Sequence, residues 1–224
     1  MLNPYPPAWV AATRLVQYQQ ASRRGGAIAV AAAIAVGTVG QIIRLQQTDP
    51  AYWLAADYAL RIACLLILAV PPDLRARVYR TEWRDAHIVE TVFWALVMAL
   101  FIWITDHLWP LYGLLIPIAP LGGYPELHDV LRLFDLTFGL ALVAVEEELL
   151  WRRATRIALS RLGDGWCMVL ISAALFGAYH WWRGGPTIIA AALFGGLAMQ
   201  FYRHTGALWP MVVLHYLIDF VLFV

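Results

Sequence analysis

Lysine is absent from this chain: all 16 basic residues are arginine, and charged residues of both signs fill only 14% of its 224 positions. Soluble domains carry about a quarter charged residues, so this sequence has too little charge to cover a water-facing surface. A formal charge of +1 and the lack of any basic tract argue against nucleic acid as the main partner. Cysteine is almost absent. Cys64 and Cys167 lie in apolar runs without Cys-x-x-Cys spacing, which argues against a disulfide scaffold or zinc knuckle and leaves them as small core residues. Internal repeats and a linker that would divide the chain are also missing, so residues 1–224 read as one transmembrane domain. The first residues, with Pro4, Pro6 and Pro7, do not have the layout of a signal peptide.

What the chain has in excess is apolar surface, at 62% hydrophobic residues. A helical bundle with lipid as its solvent accommodates that, and an all-α polytopic membrane fold is expected. Residues 8–22 read as an amphipathic segment on the membrane surface. Seven apolar runs follow, at about 27–43, 52–70, 88–104, 130–162, 166–182, 187–202 and 207–224. Pro71-Pro72 closes the second run and Trp109-Pro110 the third. The Pro/Gly-rich stretch 110–125 reads as a loop or re-entrant piece, with Asp106-His107 and His128-Asp129 in outward loops.

Arginine placement orients this bundle. With the N-terminus cytoplasmic, Arg14, Arg23, Arg24, Arg75, Arg77, Arg80, Arg84, Arg152, Arg153, Arg156, Arg161 and Arg203 fall on the cytoplasmic side. Arg44, Arg132 and Arg183 fall outside, and Arg61 lies within a span. That asymmetry follows the positive-inside rule and puts the C-terminus outward.

Charged groups deep in lipid cost at least about 2.5–3.5 kcal/mol each, so each needs a reason. The densest cluster is Glu146-Glu147-Glu148, four residues before Arg152-Arg153. Successive helical residues diverge by about 100°, so the three glutamates cannot share a face, whereas Glu148 and Arg152 can pair along the helix. Asp57 and Arg61 are likewise four apart, and a buried ion pair is the simplest reading of them. His180 ends the fifth run. His215 and Asp219 stack in the seventh. Glu147 and His180 stand about equally far from the turn at Gly163-Asp164, so an antiparallel hairpin brings them to one depth, with His215 near mid-membrane. A headgroup-level charge cluster is the plainer alternative for the glutamates, and backbone-bonded polar packing the plainer one for each histidine.

Three pieces resemble the motifs of the CPBP family, the CAAX prenyl proteases and bacteriocin-processing enzymes. They are Glu147-Glu148 with Arg152, Phe176 with His180, and His215 with Asp219, in that order on separate apolar runs, within about residues 135–222. The resemblance implies an intramembrane endopeptidase of glutamic type. Glu147 would be the general base, and His180 would help hold its water. His215 and Asp219 would stabilise the oxyanion, with Glu148, Arg152 and Phe176 supporting the motif helix. An ionised aspartate cannot donate to an oxyanion, so Asp219 fits better as the residue that orients His215.

No cofactor is required by this reading. A zinc protease using His180, His215 and Glu147 as ligands is a rival, ranked second because no His-Glu-x-x-His pair fixes a metal. A transporter or a non-catalytic immunity protein is a rival of another class, since such proteins also bury acids. The expected partners are membrane lipid and a membrane-associated protein or peptide substrate, and the expected location is a prokaryotic inner membrane. Residues 1–130 match no motif. Trp181-Trp182 could wall a substrate groove, and Gly195-Gly196 could let helices approach closely.

Overall fold

The computed structural model describes residues 8–80, 88–160 and 163–224, with side chains in the first helix described from Arg24 onward. Arg84 and Arg161 lie outside the described residues, as do Pro4, Pro6, Pro7 and the side chains of Arg14 and Arg23. Every regular element among the described residues is helical. Each of the seven apolar runs is helical over most of its described residues.

Helix α1 (Ala8–Leu45) is unbroken, so segment 8–22 continues directly into the first apolar run. A four-residue turn leads to α2 (Pro50–Ala69). The start of α2 is dictated locally: the Asp49 carboxylate accepts from the N–H groups of Ala51 and Tyr52, and Pro50 stands where an N–H would have no partner anyway. Pro71-Pro72 ends α2 and also starts a short helix, α3 (Pro72–Val78), which buries Leu74 and Val78. The expected stop is there, and the restart of a helix directly after it is an addition to the sequence expectation.

Helix α4 (Ile88–Leu115) corrects the expected stop at Trp109-Pro110. Pro110 lies inside the helix, where lipid-embedded helices tolerate it, and Asp106 and His107 are helical rather than in a loop. The helix ends before Pro117, whose ring disfavours helical geometry in the residue preceding it. Residues 116–128 have no regular structure and are pinned to the turn that follows His180. Gly185 N–H donates to the Ile118 carbonyl at 2.8 Å, and Leu121 N–H donates to the Trp182 carbonyl at 2.9 Å.

Helix α5, residues 129–158, is one rod with two wider π-helical turns, Asp135–Gly139 and Leu149–Ala154. Its residues 146–155 are all buried. A helix hidden on every side must be the centre of the bundle, which explains why its polar groups all need protein partners.

Helix α6 (Trp166–Tyr179) ends three residues short of the expected Trp182, and a 3₁₀ turn, Trp181–Arg183, follows. Gly184, at φ +86°, then reverses the chain into α7 (Gly185–Thr205), a conformation that a side chain would strain. The α6–α7 crossing is close: a Cβ on Gly195 would meet Phe176 at 3.0 Å, the packing role expected for that glycine. Helix α8 (Trp209–Phe223) completes the bundle. Cys64 is buried as expected, but Cys167 is exposed, because it faces outward near the start of α6.

Among the described residues, four helices are long and apolar enough to cross a membrane, namely Arg24–Leu45, Pro50–Ala69, Val89–Leu115 and Gly185–Thr205. The chain is an integral membrane protein. Helices α6 and α8 have 14 and 15 residues, roughly 21 and 22 Å at 1.5 Å per residue, against an apolar bilayer core of about 30 Å. Neither is long enough by itself to span that core.

Candidate active site

The three glutamates of α5 diverge as helix geometry requires, and each meets a different neighbour. Glu148 accepts a 2.8 Å hydrogen bond from His215 Nδ1 of α8, while its other oxygen lies 3.1 Å from Arg152 Nε. The expected Glu148–Arg152 pair is there, and Glu148 also fixes the histidine. Arg152 is fully buried with its guanidinium over the Phe176 ring at 4.5 Å, a cation–π contact that gives Phe176 its place in the cluster.

Glu147 turns toward a cavity of about 940 Å³, which is also lined by His180, His215 and Asp219. Its Oε2 lies 3.9 Å from His215 Nε2, and Asp219 Oδ2 lies 3.5 Å from the same nitrogen. With Nδ1–H engaged by Glu148, the other imidazole nitrogen faces two carboxylates across the cavity wall. His180 is set by its own helix: Nδ1 lies 2.8 Å from the Phe176 carbonyl, which can only accept, so Nδ1 carries the hydrogen and Nε2 is left for another partner. Four residues singled out from sequence thus border one space.

Glu146 does not face that cavity. It is completely buried and accepts at 2.8 Å from Arg61 Nη1, which also donates to Glu147 Oε1 at 3.1 Å. Arg61 Nε donates to Asp57 Oδ2 at 2.9 Å, and Asp57 is paired in turn with Arg44 of α1. The Asp57–Arg61 pair was legible from the four-residue spacing. Its extension to both glutamates was not, because that contact spans 85 residues of sequence. Mid-span Arg61 was itself the available signal: Asp57 already has Arg44 as a partner, which leaves Arg61 charge to spend on α5.

Among the described residues, four guanidiniums, of Arg44, Arg61, Arg152 and Arg183, accompany six carboxylates, of Asp57, Asp106, Glu146, Glu147, Glu148 and Asp219, in and around the cavity. His215 is the imidazole that the carboxylates surround, with Glu148 at Nδ1 and Glu147 and Asp219 toward Nε2. Arg183 lines the cavity with its guanidinium near the Trp182 and Phe223 rings. Trp182 is buried in the cavity wall, and Trp181 donates to Gln41 of α1 at 2.7 Å. Gln41 in turn donates to the Tyr179 carbonyl at 2.8 Å, so α1 holds the turn bearing His180. Sequence gave no sign of that clamp. Among the described residues, no group of three His, Cys, Asp or Glu side chains is arranged to hold a metal ion.

The fold and this cavity define a helical membrane protein whose central site is built of carboxylates and imidazoles. Residues 129–221 match the sequence model of the Rce1-like family, described as type II CAAX prenyl endopeptidase Rce1-like. Comparison with curated proteins and with solved structures found no match. That match points to the class of activity, a CAAX-protease-like endopeptidase acting within a membrane. Helices α1–α4 lie outside the matched stretch.

Proposed function

We propose that the protein hydrolyses a peptide bond of a membrane-associated protein or peptide, using water activated by Glu147. The observation that supports this best is the Glu147 carboxylate on a cavity wall, 3.9 Å from His215 Nε2, with His180 and Asp219 on the same cavity. Water held between Glu147 and His180 attacks the scissile carbonyl, and Glu147 takes its proton. The new C–O bond turns the carbonyl oxygen into an oxyanion beside His215. His215 as an imidazolium donates to it through Nε2–H, in a site where exclusion of bulk water strengthens the contact. The C–N bond then breaks, and Glu147 passes its proton to the leaving amine.

Glu148 and Asp219 orient His215 in this scheme. The 3.5 Å approach of Asp219 to Nε2 suits that role better than donation to the oxyanion. Arg183 offers a positive charge at the cavity wall to a carboxylate or carbonyl of the bound chain. The cavity reaches Trp53, Tyr124 and Phe223, at the end of the bundle that the arginine pattern places outside the cell.

Comparing membrane proteomes of cells that carry native protein and Glu147→Ala tests the reading. An uncleaved precursor that accumulates only with Glu147→Ala is the expected result, and identical proteomes would remove the hydrolase role. Cleavage by purified protein should persist in a strong chelator. Loss that zinc restores would instead make Glu147, His180 and His215 metal ligands. Reporter fusions at the C-terminus check the orientation, with activity expected only from a reporter that works outside.

A further inference from the structure

Asp57, Arg61 and Arg44 all precede the stretch that matches the family, yet they form a chain of ion pairs that reaches Glu147 from α1 and α2. We propose that Arg61 is the positioning residue of the glutamate base: its guanidinium joins Glu146 and Glu147 and sets which oxygen of Glu147 faces the cavity. The inference rests on the hydrolytic reading of Glu147 given above.

The geometry carries it in three steps. Arg61 Nη1 donates to Glu147 Oε1 at 3.1 Å, so that oxygen is engaged and Oε2, the one nearest His215, is left for water. The same nitrogen holds Glu146 at 2.8 Å, so two adjacent carboxylates that would repel each other share one cation. Arg61 is not free to swing, because Nε is bound to Asp57 at 2.9 Å and Asp57 is paired with Arg44. The guanidinium of Arg44 lies over the rings of Trp53 and Trp182 at 5.0 and 5.3 Å, which ties the chain to the turn that carries His180. A planar guanidinium with fixed donors can serve Asp57, Glu146 and Glu147 together, whereas an ammonium cannot match that fork. Helices α1 and α2 thereby complete a site whose recognised motifs all lie on α5, α6 and α8.

Glu147 is faced by Arg61 from α2, His180 from α6, and His215 and Asp219 from α8, with Glu146 and Glu148 beside it on α5. Removal of Arg61 takes away the guanidinium that bonds it, so both the charge state and the aim of Glu147 should respond. Two measurements test this on full-length protein purified in detergent. The first uses no substrate: a hydrophobic carbodiimide, which reacts with protonated carboxyl groups, is applied across a pH series, and modification of Glu147 is read by mass spectrometry. In Arg61→Gln the modification should extend to pH values at least one unit higher than in the native protein, with Arg61→Lys nearer to native. The second follows cleavage of a farnesylated CAAX peptide. Arg61→Gln should lower kcat by about 100-fold, the scale of a small misplacement of a reacting group, with KM nearly unchanged and partial recovery in Arg61→Lys.

If Arg61→Gln does not fold, Arg61→Gln combined with Glu146→Gln keeps the buried charge balanced and takes its place in both measurements. An unaltered carbodiimide profile of Glu147 in whichever of these variants folds overturns the proposal, and so does an unaltered kcat. A native protein that cleaves no peptide counts against the hydrolytic reading instead, and the labelling series still decides the link between Arg61 and Glu147.

Discussion

Three neighbouring glutamates have three different fates in this molecule, and substitution should separate them. Glu147→Gln keeps the shape of the side chain but cannot take a proton from water. It should lower cleavage at least about 100-fold, the low end of what a positioned general base contributes. Glu146 has no place on the cavity, so Glu146→Gln should leave the rate within about tenfold of native, because the reacting groups are untouched. Both are read by turnover of the same peptide, with unfolding curves as a control. Glu148 and Arg152 are both fully buried, and removing one partner strands the other. Arg152→Ala should therefore cost about 3–5 kcal/mol, measured as the shift in detergent unfolding.

At the scale of the helices, the α6–α7 crossing and the 116–128 loop make separate demands. A Cβ on Gly177 would meet the backbone carbonyl of Ile188 at 2.7 Å and the Ala192 side chain at 2.6 Å. Backbone cannot yield as a flexible side chain can, so Gly177→Val should push the helices apart at a cost of about 1–3 kcal/mol, with His180 displaced along with α6. Loop 116–128 is held at its far end by Asp135, a buried carboxylate in the first π turn of α5. The Tyr58 and Tyr124 hydroxyls donate to it at 2.5 and 2.7 Å. Burial, and then the bond to Asp135, hold the Tyr124 hydroxyl protonated far above its ordinary range. That contribution to stability is whole below pH about 10, the ordinary tyrosine value, and is lost as pH rises further. The unfolding midpoint should fall above that pH in native protein and fall less in Tyr124→Phe.

The helices were legible in the sequence wherever apolar length and a Pro or Gly stop coincided, as at Pro71-Pro72 and Gly184. They were misread at Pro110, because a proline inside a lipid-embedded helix gives the same local signal as a proline that ends one. The motif residues could be read because each is expensive in lipid. Their bonds could not, because a contact such as Arg61 with Glu146, or Gln41 with Tyr179, is chosen by how the helices pack and has no local spacing to announce it.

At the scale of the whole molecule, the two thiols provide a simple check on which side of each helix meets the surroundings. Cys167 is exposed and Cys64 is buried, with its Sγ donating to the Ala33 carbonyl at 3.2 Å. A lipid-soluble maleimide should modify Cys167 in the folded protein and reach Cys64 only on unfolding, as read by mass spectrometry. Helix α4 stands apart from the rest: only 11% of its spanning window is buried, although one of its faces walls the cavity.

The second π turn of α5, Leu149–Ala154, begins where the three glutamates end. Such a turn holds more residues than an ordinary one, so it sets the rotational phase between the glutamates before it and Thr155–Ala158 after it, with Arg152 and Arg153 inside it. If the same residues wound at ordinary pitch with none removed, one half of the rod would turn against the other by about 100°. The helix would survive with its backbone bonds intact, but Arg152 and Arg153 would swing away from Phe176 and Tyr202. In this protein the reading frame of the active site is kept by a local fault in the winding of one helix.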